Sequence, residues 1–253
     1  MKIDINSDMG EGFGPYTLAD DEALMAQISS ANVACGYHAG DPLIMDRTVR
    51  LARDHDVDLG AHVSFPDRMG FGRRKMDMPL PELEAHVLYQ IGALAAFARR
   101  ADYRITHMNP HGALGNLASS VPEIAEALAR ATMQFDPEIA FLVLPGSALE
   151  TAALQRGGKV ARLFLADRGY LPNGQLAPRG TSGAVIKDEA EVVSRVLGVL
   201  QQQTLTCVTG EEIPMPVQSV LVHSDTPGAV QLARRLKQEI TDAGGQIAPL
   251  TAQ

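Results

Sequence analysis

The sequence predicts an α/β fold: a single TIM-like (β/α) barrel of seven or eight parallel strands over residues 1–253. Three observations lead there. Short apolar runs alternate with stretches of helical periodicity along the whole chain, the pattern of successive βα units. No linker, charge block or low-complexity tract interrupts them. The chemistry-bearing side chains also sit where the short runs end: His38, His62, His107, His111 and His223 are within a few residues of a strand end, while His55 and His86 fall in helices. In a barrel all strand ends of one sense meet at a single mouth. An open doubly wound sheet is the alternative, and it also places ligands at the carboxyl ends of its strands.

The first strand covers about residues 2–6, with Asp4, Asn6 and Asp8 on one face and Ile3 and Ile5 on the other. A buried parallel strand is ordinarily apolar on both faces, so this polar face must look at water, a ligand or other polar groups. Thr17 to Asp20 reads as the start of a helix that turns Leu24, Met25 and Ile28 inward. A second strand over 31–34 runs to Asp41, an N-cap, and Pro42, a first helical residue. The third, over 57–61, leads through His62 into a loop over 63–79; loops longer than about 12–15 residues are usually functional when they are ordered. A helix over 81–100 aligns Leu83, Val87 and Ile91. The next strand, 103–108, opens into Asn109-Pro110-His111-Gly112, and Ser120 with Glu123 reads as the capping box of the following helix. Then come a strand over 140–144, a helix over 147–155, a strand over 159–166, a loop from Asp167 to Gly180 and a helix over 188–202. An excursion around Gly210 and Pro214-Met215-Pro216 suits a small hairpin. A strand over 219–222, a helix to Ala243 and a short strand over 246–250 finish the chain.

Composition narrows the function classes. With 45% apolar and 21% charged residues the chain reads as an ordinary soluble globular domain. No apolar run reaches the roughly 18 residues of a membrane span, and no basic-plus-apolar leader is read at the start. Cys35 and Cys207 make no disulfide framework and read as reduced thiols of a cytoplasmic protein. A net charge of −8 argues against a nucleic-acid partner. A small molecule is the expected ligand.

Asp8, His62, His111 and Asp167 are the candidate catalytic residues. Asn6, Glu11, His38, Asp41, Arg73, Arg74, Arg168, Arg179, His223 and Asp225 are the candidate substrate-binding ones, the arginines because a guanidinium fork matches a carboxylate or phosphate. Asp41 and Asp225 read equally as helix caps, His107 as a core histidine and Cys35 as a buried structural thiol. Two chemistries fit: hydrolysis assisted by a divalent metal on Asp8, His62 and His111, or metal-free acid–base catalysis by the same groups. No HExxH, CxxC, Walker-type or strand-linked GxGxxG spacing is present.

The segments Asp8-Met9-Gly10-Glu11-Gly12-Phe13-Gly14, Ser30 to Pro42, Gly60-Ala61-His62, Pro66-Asp67, Gly70 to Arg74, Pro110 to Leu114, Ala166-Asp167-Arg168 and His223 to Pro227 together resemble the LamB/YcsF family over nearly the whole chain. The resemblance implies a (β/α) barrel of the glycoside hydrolase and deacetylase kind. It also implies a part, as the A-type member of a complex, in ATP-dependent opening of 5-oxo-L-proline to glutamate, with B- and C-type partner subunits and ATP used by the complex. A homo-oligomer is compatible with it. Five positions depart from the family pattern: Ser7 for cysteine, Val63 for proline, Ser224 for glycine, Asn109 for lysine and Leu163 for glutamate. Loss of one positive and one negative charge together suggests a removed ion pair, and a divergent relative acting on another lactam is the resulting expectation.

Overall fold

The computed structural model describes residues Met1 to Gln253. In chain order it runs β1 (Lys2–Met9), α1 (Asp21–Met25), β2 (Ser30–Ala34), α2 (Pro42–Asp54), β3 (Asp58–Val63), α3 (Leu80–Arg100), β4 (Ile105–Pro110), α4 (Gly112–Ser120) and α5 (Pro122–Phe135). It continues with β5 (Ala140–Val143), α6 (Ala148–Gln155), β6 (Val160–Leu165), α7 (Glu189–Gln202), β7 (Thr204–Thr206), β8 (Glu212–Pro214), β9 (Ser219–Val222), α8 (Ala229–Asp242) and β10 (Gln246–Ile247). Strands β1 to β6 pair in sequence, all parallel, and β9 closes the ring between β6 and β1, with Asp4 opposite Ser219 and Ser7 opposite Val222. Closure rules out the open sheet. β10 only extends the ring below the start of β1, and β7–β8 form the expected small hairpin outside it.

Local chemistry explains most element ends. Asp41 caps α2 by accepting from Leu43 N at 2.8 Å and Ile44 N at 3.0 Å, and Pro42 occupies the first turn, where no N–H is needed. Ser147 and Asp188 cap α6 and α7 in the same way. Two expected starts fail. α1 begins at Asp21 with Asp20 as its cap, because Phe13 to Tyr16 are held in a bridged turn of their own and only a short stretch is left to wind. The Ser120–Glu123 box is not made: Ser120 ends α4 and turns its hydroxyl back to Asn116 O at 3.0 Å. Helix α5 instead starts uncapped on Pro122.

Strand alternation splits the barrel interior into two halves. On β1 to β4 the inward residues are polar: Asp4, Asn6, Asp8, Ser30, Asn32, His62, His107 and Asn109 are all buried. On β5, β6 and β9, Leu142, Ala161, Leu163, Leu165 and Leu221 form a small apolar cluster of their own. Their neighbours along each strand, such as Phe141, Phe164 and Val220, face outward into the large core under the helices. Deep in the polar half, the carboxylate of Asp4 accepts from the hydroxyls of Ser29 (2.6 Å), Ser30 (2.6 Å) and Ser219 (2.5 Å), tying β1 to both of its neighbours.

Candidate active site

Asp8 stands at the end of the polar face of β1, and a chain of bonds across three strands orients it. His107 gives its Nε2 proton to Asn32 Oδ1 at 3.0 Å, and burial lowers its pKa to about 3, so the ring is neutral. That donation fixes the amide of Asn32, whose Nδ2 then points at Asp8 Oδ1 (2.9 Å) and Asn6 Oδ1 (2.5 Å). The ring of His107 lies where any side chain on Gly60 of β3 would be, so that position admits only glycine.

Two imidazoles meet beside Asp8. Nδ1 of His62 faces the carbonyl of Asn109 at 2.9 Å and must donate to it. Nε2 of His111 likewise donates to the carbonyl of Phe71 at 2.8 Å. The two remaining atoms, His62 Nε2 and His111 Nδ1, face each other at 2.9 Å. Burial lowers the pKa of both rings, His111 to about 3. Two neutral rings so held would bring lone pairs together, and only a cation, proton or metal, relieves that contact. Carboxylates flank the pair: Asp8 Oδ1 is 3.3 Å from His62 Nε2, and Glu11 Oε1 is 3.6 Å from His111 Nδ1 and 2.9 Å from His38 Nε2. His38 stacks flat on His111 with ring centres 3.8 Å apart. The long loop after β3 delivers the Phe71 carbonyl. Gly72 has φ of +64°, and a Cβ there would lie 2.7 Å from the ring of His111, so a glycine is needed at this crossing.

The donor atoms of Glu11, His38, His62 and His111 lie within 4.8 Å of one another. Carboxylate plus neutral imidazole suits zinc or a similar divalent ion, and the carbonyl bonds of His62 and His111 are the outer contacts that turn ligand nitrogens inward. The residues fit a metal: of the expected Asp8, His62 and His111, the two histidines belong to the group, Glu11 and His38 complete it, and Asp8 stands beside it.

Across the mouth, His223 Nδ1 pairs with Asp167 Oδ1 at 2.7 Å, and Thr226 donates to the other oxygen at 3.3 Å. Burial alone would lower the pKa of His223, but the charge and hydrogen bond of Asp167 outweigh it and the net direction is up. Asp8 moves the other way: burial works to raise it, the imidazoles of His62 and His223 and the Asn32 amide work against that, and the net direction is down. Glu11 is raised well above the ordinary range, first by burial and then by the charges of Asp8 and Asp225. Arg73 pairs with Asp225 at 2.7 Å on the rim.

These groups border one cavity of about 510 Å³, lined by Asp8, Glu11, His62, Arg73, Asn109, His111, Arg168, Arg179, His223 and Asp225 on its polar side. Asp167 stands one residue behind, reaching the cavity through His223. His38 is behind Glu11. Three more expected binding residues, besides His38, lie outside the lining. Asn6 is buried below Asp8, its amide held by Ser30 at 2.7 Å and by Asn32. Asp41 serves its helix cap, and Arg74 is drawn outward onto Asp67, which itself caps the turn at Gly70. Asp225 does not cap α8, whose N-cap is Gly228. Arg168 lines the cavity, but two of its donors go to the carbonyls of Ala184 (2.9 Å) and Ala177 (2.7 Å). Cys35 is a buried thiol pushed up to about 12 by burial, and inert. Sequence reasoning missed Asn32, Thr226 and the leucine wall. Asn32 did carry a signal, a polar residue in an apolar strand.

A closed (β/α) barrel with carboxylates and imidazoles gathered over one cavity at its carboxyl end defines the class, a TIM-like α/β barrel with an acid–imidazole centre. No helix is long and apolar enough to cross a membrane. The chain belongs to the LamB/YcsF family, whose model matches residues 3–253. It is 53% identical to a 5-oxoprolinase A-type subunit of Pseudomonas syringae pv. tomato, over 99% of this chain and 98% of that one. It is equally 53% identical to a 5-oxoprolinase A-type subunit of Ralstonia nicotianae, over 100% and 97%. Among solved structures, the lactam utilization protein from Thermus thermophilus superposes with a TM-score of 0.93 at 38% identity, covering 99% of this chain and 100% of that one.

Proposed function

We propose that the chain is the ring-opening subunit of an ATP-dependent lactam hydrolase, acting on 5-oxo-L-proline or a related cyclic amide with B- and C-type partner subunits. The reading is carried by one observation: the Asp8–His62–His111 group faces the same cavity as His223 with its Asp167 partner. Lactam hydrolysis needs a group that takes a proton from water, one that gives a proton to the ring nitrogen, and positive charge where the oxygen becomes negative. Asp8 and the imidazole pair take the first part. His223, whose protonated form the charge of Asp167 favours, takes the second. Arg73, Arg168 and Arg179 hold the substrate carboxylate at the rim. A divalent ion on Glu11, His38, His62 and His111 beside Asp8 would supply Lewis acidity and a more acidic water. An unactivated amide is a poor electrophile; transfer of the γ-phosphoryl group of ATP to its oxygen within the complex, with release of ADP, opens the carbon to water, after which the C–N bond breaks as the ring nitrogen takes a proton and a second water frees the carboxylate from inorganic phosphate. The names of the relatives support the substrate class.

The test is a complex assembled from this chain and the products of its neighbouring genes, offered a panel of lactams with and without ATP. ATP-dependent acid release that disappears in Asp8→Asn and His223→Gln, with unchanged unfolding temperature, is the expected result. Full turnover in both variants would make the chain a binding or scaffold subunit instead.

A further inference from the structure

We propose that the cavity is built for a lactam bearing an aliphatic group, seated on the leucine half of the barrel. The proposal rests on the ring-opening reading and narrows its substrate class. Leu142, Leu163, Leu165 and Leu221 point into the barrel from β5, β6 and β9, and all four line the same cavity as Asp8, His62, His111 and His223. They are 2%, 4%, 9% and 2% exposed, and they are separate from the outer core that holds the helices. Deeper in the polar half, Asp4 and Asn6 are bound to serines and to Asn32, which leaves the leucine side without a charged partner facing it from below.

The two halves orient a ligand. The carboxylate goes to the arginines at the rim and the amide to the acid–imidazole group, so the remaining ring edge is turned to the leucines. A bare five-membered ring presents only methylenes there and is far smaller than the space. At about 510 Å³ the cavity falls in the range of about 300–1,000 Å³ that encloses drug-sized ligands. The leucine wall is the apolar side of this otherwise polar cavity and offers water no hydrogen-bond partner, so it gains most from a hydrocarbon packed against it. Each added buried methylene should strengthen binding about fourfold.

The measurement is calorimetric titration of the full chain, alone and in the assembled complex, with 5-oxoproline and with 5-oxoprolines carrying a methyl or an isobutyl group on a ring carbon away from the amide. Affinity is expected to rise along the series, by roughly tenfold or more from the bare ring to isobutyl. Leu163→Asn should flatten the series. If that variant does not fold, Leu163→Ala, which only deepens the wall, should move the optimum to a longer group. Tightest binding by unsubstituted 5-oxoproline, with losses on substitution, would overturn the proposal and leave the ring-opening reading standing. Failure of every lactam to bind or be opened, by chain or complex, would remove that reading and this proposal with it.

Discussion

In the proposed ring opening, His223 is the side chain whose ionisation decides whether the ring nitrogen can be protonated. Its pKa is raised, so the imidazolium persists above the usual value of about 6.5, and turnover should fall as pH climbs through the raised value. The matching stability contribution has the same sign: it is complete below the unfolded pKa and disappears as pH rises through the folded one. Replacing Asp167 with asparagine removes the charge that holds the proton. A pH–rate profile of Asp167→Asn should show the alkaline limb moved to lower pH, with kcat down by about 10²–10⁴-fold. A second outcome concerns Gly60. Gly60→Ala drives a methyl into the His107 ring, so it should lower stability by about 1–3 kcal/mol and release Asn32 from Asp8, read as a drop in both unfolding temperature and kcat. Asp8, His62 and His111 were legible because strand alternation and strand ends place them. Asn32, Thr226 and the Phe71 carbonyl were not, since their roles depend on partners from other strands and on a loop path that no local pattern encodes.

Strand β1 is tied to its neighbours through one buried carboxyl. Asp4 is fully buried, and burial outweighs its three serine hydroxyls to raise its pKa from 3.8 to about 6. A raised carboxyl contributes stability that is complete below the unfolded value and is lost as pH rises through the folded one. The protein should therefore lose about 3 kcal/mol between pH of about 4 and 6 from this group alone, at about 1.36 kcal/mol per pKa unit. Urea unfolding of Asp4→Asn across that range should show this slope removed, because the amide cannot ionise; an unchanged slope would place the titration elsewhere. Elements with their own punctuation were readable: Asp41-Pro42 starts α2 and Ser147 caps α6, as their sequences imply. Helix α4 was not. It begins directly after His111 without a side-chain cap, and its small residues, Gly112-Ala113 and Gly115, carry little amphipathic signal.

The whole molecule is a barrel with a divided interior. Barrels of this kind usually fill their centre with branched apolar side chains, and here only half is filled so. The other half is a bonded polar stack that ends at the candidate site. The recurrence of βα units favoured a barrel but left the open sheet as an alternative, and the pairing of β9 with β1 decides for closure. The division was not legible, because short apolar runs such as Phe141-Leu142-Val143 do not reveal which residue turns inward. The facing lone pairs of His62 and His111 make a molecular-scale expectation. A stoichiometric divalent ion such as zinc should raise the unfolding temperature of the chain, more weakly as pH falls and protons compete, and His111→Ala should abolish the effect. Ring opening at the barrel mouth is tested most sharply by single-turnover kinetics of the assembled complex carrying Asp8→Asn, beside the wild type at equal folded concentration. A rate reduced by about 10³-fold or more, with lactam still bound, is the expected result. A wild-type rate would contradict the assignment of the barrel mouth as the place where the ring opens.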